Sequence, residues 1–392
     1  MKNITRKVWI LSIVSLLTDI ASEMLYPVMP LYLKTIGFSV LLIGVLEGVA
    51  EATAGLSKGY FGRLSDKSGQ RVPFVRVGYS LSAVSKPMMA VLTYPWWIFL
   101  ARTLDRFGKG IRTGARDAML SDEAIPQTKG EVFGFHRSLD TLGAFLGPCI
   151  ALIFLYFHPE NYKTLFLLAF FPGVLAIAFT FLLKDKPIEK KTKISKSTFW
   201  EFLKYWKMSP KLYKKLSFGL LLFTLFNSSD VFLLLKLKQT GLADTGIIGI
   251  YIFYNFIYAL FAYPFGKIAD KIGLKKVLVA GILLFAIVYF GMAVNNNLFI
   301  FIILFLVYGI YAASTEGISK AWISNIVDRE DVATAIGTFT GFQSICTMLA
   351  SSIAGFVWYK YGSATTFLLT SIVSIIVAMY LSTLPQSATN KS

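Results

Sequence analysis

The chain has 392 residues, of which 55% are hydrophobic, 15% aromatic and 16% charged, with a mean hydropathy of +0.61. A soluble domain carries about a quarter of its residues as charges, so this composition excludes an ordinary globular enzyme and reads as a polytopic membrane protein. The net charge of +17 sits mainly in short connections between apolar runs, the distribution of a membrane topology signal, and this excludes a nucleic-acid partner.

Apolar runs of about 20 residues match the roughly 30 Å of hydrocarbon a helix must cross, whereas a barrel needs shorter runs of alternating polarity. The first span is expected from Val8 to Lys34, with Lys2, Arg6 and Lys7 holding the N-terminus in the cytoplasm. It reads as an uncleaved helix, because the run is too long for a signal peptide and contains Asp19 and Glu23. The second span covers Leu41 to Phe61 and the third Phe74 to Tyr94, with Pro95-Trp96-Trp97 at the far interface. A fourth span is apolar at its start and charged after Arg102; Glu131 to Phe157 and Thr164 to Leu183 complete the first half. Lys184 to Lys215 is a Lys-rich linker, and its FWEFLKYW segment from Phe199 is amphipathic enough to lie along the membrane surface. Six more spans are expected at 217–237, 245–265, 277–294, 298–323, 332–358 and 364–384. The twelve crossings put both termini and the linker on the cytoplasmic side and divide the chain into 1–184, a linker 185–215, and 216–392.

The two halves share a repeat. GRLSDKSGQR, from Gly62 to Arg71, returns as GKIADKIGLK, so Gly62, Asp66 and Gly69 recur as Gly266, Asp270 and Gly273, 204 residues on. LKTIG from Leu33 and LKQTG from Leu237 keep the same offset. One offset fitting two stretches without a gap marks an internal duplication, and in so apolar a chain it points to transport.

Charges inside the spans are the candidate functional residues. Asp19 and Glu23 lie four residues apart and share one helical face. Left in lipid the pair would cost about 5 to 7 kcal/mol, so that face must look into the bundle. Two close carboxylates in a low dielectric do not both ionise readily, which is the property a proton carrier needs. Glu47 and Glu51 repeat the spacing on the second span, with Lys58 or Arg76 as other partners for Glu51. The repeat offset sets Asn227 at the place of Glu23 and Asp230 at that of Tyr26, with Lys236 or a fourth-span Arg as a salt-bridge alternative for Asp230. Arg102, Arg112, Arg116 and Lys86 supply positive charge, and some of these with Asp117, His136, Arg137 and Asp140 can form a cytoplasmic-side ion network. Cys149 and Cys346 fall one in each half, and His136 has no second His nearby, so neither a disulfide, a metal site nor a cofactor is expected.

The duplicated pattern with GxLxDxxG between the second and third spans resembles the major facilitator superfamily along essentially the whole chain. The match is at Gly62, Leu64, Asp66, Lys67 and Gly69; Gln70 stands where the family favours Arg, and Arg71 follows it. The resemblance implies that Asp66 caps a helix of the opposite half, near Asp331, and holds a cytoplasmic gate with Gly62, Gly69 and Arg71, the second copy being Gly266, Asp270 and Gly273. Gly134, Gly143, Gly147 and Pro148, with Ala151 in the last place, are similar to the Gx8Gx3GPxxG signature of drug-type proton antiporters, which Cys346 and Ala350 do not repeat in the second half. IFLARTLDRFG from Ile98 resembles the LxxxRxxQG motif of proton-coupled members and puts Arg102 on the coupling Arg, with Asp105 and Arg106 replacing Gln and Gly. The KGIRTGARDAMLSD that follows, with Lys109 and Asp122, departs from the broad family.

What the resemblance implies is an all-α protein with twelve membrane helices in two pseudo-symmetric bundles that rock around a cavity lined by Glu23, Tyr26, Asn227 and Asp230. The expected activity is proton-coupled efflux of a small cationic or amphipathic solute by a monomer in the cell membrane. Anion uptake or exchange through the fourth-span arginines, and export of a divalent metal or siderophore, are alternatives on the same fold. A membrane-embedded sensor or enzyme would need a soluble domain or a nucleophile–base set, and the sequence offers neither.

Overall fold

The computed structural model describes residues 3–26, 28–185, 202–227, 230–242 and 244–386, and the regular elements among them are all helical. In chain order these are α1 Arg6–Glu23, α2 Met29–Thr35, α3 Val40–Ser68, α4 Val72–Val91, α5 Pro95–Asp122, α6 Lys129–Phe157 and α7 Tyr162–Thr180. A short α8 Phe202–Met208 precedes α9 Lys211–Phe226, α10 Asp230–Gln239, α11 Asp244–Ile272, α12 Leu274–Val294 and α13 Leu298–Asn325. A 3-10 turn, Arg329–Asp331, leads into α14 Val332–Ser382, which is interrupted at Gly362 (φ 83°), so the last two expected spans meet there.

Two expected spans are each divided. α1 and α2 share the first, and α9 and α10 the seventh. The first division follows Glu23, and the second falls at Asn227, whose backbone is extended (φ −83°, ψ 96°), 204 residues further on. Interrupted hydrophobic segments at corresponding places in two halves are where a transporter's binding groups are expected.

The repeated polar stretch differs from its expected form as a loop. α3 stays helical through Gly62 and Asp66 to Ser68 and turns at Gly69 (φ 65°), and α11 stays helical to Ile272 and turns at Gly273 (φ 108°). These positive φ angles suit glycine and little else. The helices run on because Gly62 and Gly266 are packing positions: a Cβ on Gly62 would strike the Ala333 carbonyl, and one on Gly266 the Gly130 carbonyl.

Contacts divide the chain into two compact units, one made of 1–123, 139–208 and 328–344, the other of 124–138, 209–327 and 345–392. In the first, α5 packs against α3 and α4, and α7 against α1 and α4; in the second, α13 packs against α11 and α12. Small residues set the approach distances. A Cβ on Gly78 of α4 would lie 2.7 Å from the Gly108 carbonyl of α5. On α6, a Cβ at Gly143 would lie 2.6 Å from the Leu16 carbonyl and one at Gly147 2.7 Å from the Met24 nitrogen, while Gly134 lies equally close to α11, 2.6 Å from the Ala262 carbonyl.

Beyond the first turns of α7 and α12, the exposed side chains of α7, α12 and α13 are aliphatic or aromatic, among them Phe171, Ile287, Phe290 and Phe299. Such a surface suits lipid, and among the described residues six helices are long and apolar enough to cross a membrane by length and composition. Of the expected linker, 186–201 lies outside the described residues, and Lys211, Lys214 and Lys215 belong to α9. The amphipathic segment is covered in part by protein: Tyr205 is buried and the Trp206 ring meets Phe342 edge-on at 5.7 Å.

The close approach of α6 to α1 yields a stability prediction. Gly147→Ala should cost about 1 to 3 kcal/mol, because its neighbours are backbone atoms that cannot swing aside. Gly249→Ala on α11, with nothing within 4 Å of the added carbon, should match or slightly exceed the parent. Thermal melts read by size-exclusion chromatography compare the two.

Candidate functional site

The α1 face bearing Asp19 and Glu23 is shaped by the missing side chains of α6. Because Gly143 and Gly147 let the backbones meet, Asp140, three residues before Gly143, reaches the carboxyl of Asp19. Ser15, one turn before Asp19, donates to Asp140 and receives a hydrogen bond from Arg116 Nη1 at 3.3 Å. Arg116 in turn pairs with Asp117 at 2.9 Å. Glu23 has Lys109, Arg106 and Arg102 acting on it from a distance, and none of them is in ion-pair contact with it. Tyr26, in the turn after α1, is 45% exposed.

α5 carries its charges on its buried side. Asp105 accepts from Lys86 of α4 at 2.8 Å and lies 3.6 Å from Arg102, and Lys86 also donates to Ser22 of α1 at 3.2 Å. Glu51 pairs with Arg106 at 3.3 Å, not with Lys58, which donates to Ser344 at 3.1 Å, nor with Arg76, which donates to the Thr180 and Leu183 carbonyls. The side chain of Glu47 lies outside the described residues. Arg112 is buried against the Ser82 hydroxyl at 2.6 Å and the Tyr79 ring at 4.5 Å. Arg112, Arg116, Asp117 and Asp140 belong to the first unit, whereas His136, which is buried, and Arg137 belong to the second, where Arg137 donates to Tyr258 and pairs with Glu316 at 3.5 Å.

At the second division, Asn227 donates to Tyr311 at 3.2 Å, and Tyr308 donates to Asp230 at 2.6 Å. Lys236, the expected salt-bridge alternative for Asp230, donates instead to Asn296 at 2.9 Å, since it lies nearly two turns along α10.

The repeated aspartates occupy helix starts. Asp66 accepts from the backbone N–H of Thr334 at 2.6 Å and from its hydroxyl at 2.7 Å, in the first turn of α14. Asp270 accepts from the N–H groups of Gly130 at 2.8 Å and Glu131 at 2.6 Å, in the first turn of α6. Gly130 and Thr334 are themselves 204 residues apart, so a repeated carboxylate meets a repeated helix start. Each satisfies N–H groups that have no partner inside the helix and opposes the positive end of its dipole. The surroundings differ between the copies. Arg71 lies 3.5 Å from Asp66 and 3.2 Å from Asp122, and Arg329 donates to Asp122 at 2.8 Å. Lys275, which holds the place of Arg71, donates to the Ser382 and Leu384 carbonyls at 3.0 and 2.9 Å.

Comparison with known families agrees with this architecture. The model of the Major Facilitator Superfamily matches residues 11–253 and 218–392. The chain belongs to the major facilitator superfamily. Over 386 residues it is 34% identical to an uncharacterized MFS-type transporter of Methanocaldococcus jannaschii, covering 97% of this chain and 95% of that one. It is 24% identical over 377 residues to a multi-drug resistance efflux pump PmrA homolog of Lactococcus lactis, covering 90% of this chain and 89% of that protein. The human organic anion transporter MFSD10 has the same fold, with a TM-score of 0.82 at 16% identity over 97% of this chain and 99% of that one.

For this facilitator-superfamily transporter, sequence reasoning named Asp140 only as a network member and did not foresee Thr334, Gly130 or Glu131 as partners of the repeated aspartates. The offset itself could have found them, because it relates Gly130 to Thr334 as it relates Asp66 to Asp270.

The Lys86–Asp105–Arg102 group gives a second stability prediction. Removing one partner of a buried pair strands a charge at a cost of roughly 3 to 5 kcal/mol, so Asp105→Asn should melt far below the parent. Glu51→Gln, whose carboxylate is 52% exposed, should stay within about 1 kcal/mol. Denaturation of the purified variants in one detergent checks the order.

Proposed function

We propose that the protein is a proton-coupled secondary transporter that exports a small cationic or amphipathic solute, working as a monomer in the cell membrane with both termini in the cytoplasm. The observation that carries this reading is the pair of carboxylates on α1. An ionised carboxylate at mid-membrane costs about 2.5 to 3.5 kcal/mol, yet neither Asp19 nor Glu23 has a Lys or Arg in ion-pair contact among the described residues. Asp19 meets Asp140 instead, a contact that repels when both groups are ionised and becomes favourable with one proton between them. A proton held there and released when a cationic solute binds is the competition that exchange requires, because each ligand shifts the equilibrium by its differential affinity. An inward proton supplies about 2.3 kcal/mol per 100 mV and about 1.4 per pH unit. The glycine signature of α6 and the drug-efflux name of the Lactococcus relative support the outward direction.

A second reading, uptake or exchange of an anion, has one observation in its favour. Arg112 is buried with a hydroxyl and a ring as its partners and no carboxylate in ion-pair contact among the described residues.

Growth of a deletion strain against dyes, antibiotics, metals and siderophores identifies the solute, and vesicles with an imposed pH gradient then test the coupling. Glu23→Gln should give a stable protein, since no cation loses a contact, that exchanges solute across the membrane without accumulating it. Accumulation by a stable Glu23→Gln protein would move the carrier role to Asp19 or Asp230. The caps give a separate outcome in the same assay. Asp66→Asn should insert normally and transport slowly, and Asp270→Asn should be milder, because only Asp66 sits in an ionic lattice with Arg71 and Asp122. Equal losses would show that the two caps act alike.

A further inference from the structure

Tyrosines crowd the second unit's divided helix. We infer that Asp230, Asn227 and the ring faces of Tyr254, Tyr308 and Tyr311 form a binding site for an organic ammonium ion, which rests on the cationic-solute reading and names its chemistry. Asp230 opens α10. It accepts a hydrogen bond from the Tyr308 hydroxyl at 2.6 Å, and no Lys or Arg is in ion-pair contact with it among the described residues. The charge acting on it from nearby is a second carboxylate, Glu316, which is itself paired with Arg137 at 3.5 Å. Asp230 is therefore a carboxyl with no paired cation among the described residues, and it keeps part of its surface open.

The groups around it are chosen for a soft cation. Asn227 donates its amide to Tyr311, and its Oδ1 is buried with no hydrogen-bond partner among the described residues, an oxygen available to a cation. Tyr254 and Tyr308 lie 4.9 Å apart, Tyr308 and Tyr311 5.3 Å, and Phe285 lies 4.7 Å from Tyr311, so the rings form a continuous π surface beside the carboxylate. Aromatic faces bind ammonium groups through the ring quadrupole, most strongly where water is excluded, and all three tyrosines are buried. α9 ends at Phe226, so the negative end of its dipole is directed at the same break. A hard metal cation would need about six or more oxygens in a close shell, whereas the wall here is mostly carbon.

The test is equilibrium binding of radiolabelled N-methyl-4-phenylpyridinium to the purified full-length protein at fixed pH, with no gradient. Wild-type protein should bind saturably, Asp230→Asn at least about tenfold more weakly, and Asp230→Glu within about threefold. Tyr308→Leu should weaken binding about fivefold and Tyr308→Phe, which keeps the ring, by less. If Asp230→Asn does not remain monodisperse, the Tyr308 pair decides the matter. Equal binding by wild type and a folded Asp230→Asn protein would overturn the inference, as would sodium displacing the probe with no effect of Tyr308→Leu, which would assign the site to a metal cation. Because no gradient is used, a protein that pumps without an Asp230-dependent site sinks this inference alone, and one that binds through Asp230 but cannot pump sinks the coupling alone.

Discussion

A carboxylate set against an unfinished helix start is the interaction on which the rest of this transporter depends. The first turn of a helix carries N–H groups without intrahelical partners and about half a positive charge, and in α14 and α6 that end is taken up by Asp66 and Asp270. For a side chain as short as Asp to reach, the two backbones must nearly touch. Gly62 and Gly266 allow this, and they stand four residues before their aspartates, so approach and capping lie on one helical face. The repeated stretch is therefore a docking surface on a helix. Its contacts also explain why 328–344 clusters with the first unit and 124–138 with the second.

Charge inside the first unit follows the same economy of short reach. α5 carries Arg102, Asp105, Arg112, Arg116 and Asp117 buried and Arg106 nearly so, and partners come from other helices: Lys86 of α4 for Asp105, Glu51 of α3 for Arg106 and Ser15 of α1 for Arg116. A buried ion pair contributes little net stability over an apolar pair of the same volume. What these pairs supply is register. A slip of α5 by one residue would turn Asp105 away from Lys86 and leave a buried charge without its partner, at roughly 3 to 5 kcal/mol.

Much of this was legible before any coordinates. Apolar runs gave the spans, and the single offset gave the duplication, which the backbone repeats in Gly37 and Gly241, at φ 88° and 84°, and again in Gly69 and Gly273. Two things were not legible. Polar composition at GRLSDKSGQR looked like a loop, because nothing local reveals that Gly62 meets the Ala333 carbonyl, a contact 271 residues away in sequence. Likewise Asp19 was matched with Glu23 because helical spacing is local, whereas its meeting with Asp140 depends on how closely Gly143 lets two helices approach. Lys236 shows the same limit in reverse: an opposite charge on the helix of Asp230 found a different partner, Asn296.

The duplication kept its geometry and let its chemistry diverge. Both halves divide a span at the same relative position and both cap a distant helix with the same aspartate, yet the residue at the division is Glu23 in one and Asn227 in the other. Around Glu23 lie Asp19, Asp140 and a row of cations; around Asn227 lie one carboxylate and a set of tyrosines. A proton and an organic cation ask for opposite surroundings. The proton needs carboxyls close enough to repel when bare, while the organic cation needs one lasting negative charge and broad polarizable faces. A single pocket built for both would weaken each, since cations placed to govern the carboxyls would repel the solute. Under the proposed function, two helix breaks derived from one ancestor would let each chemistry be set in its own unit.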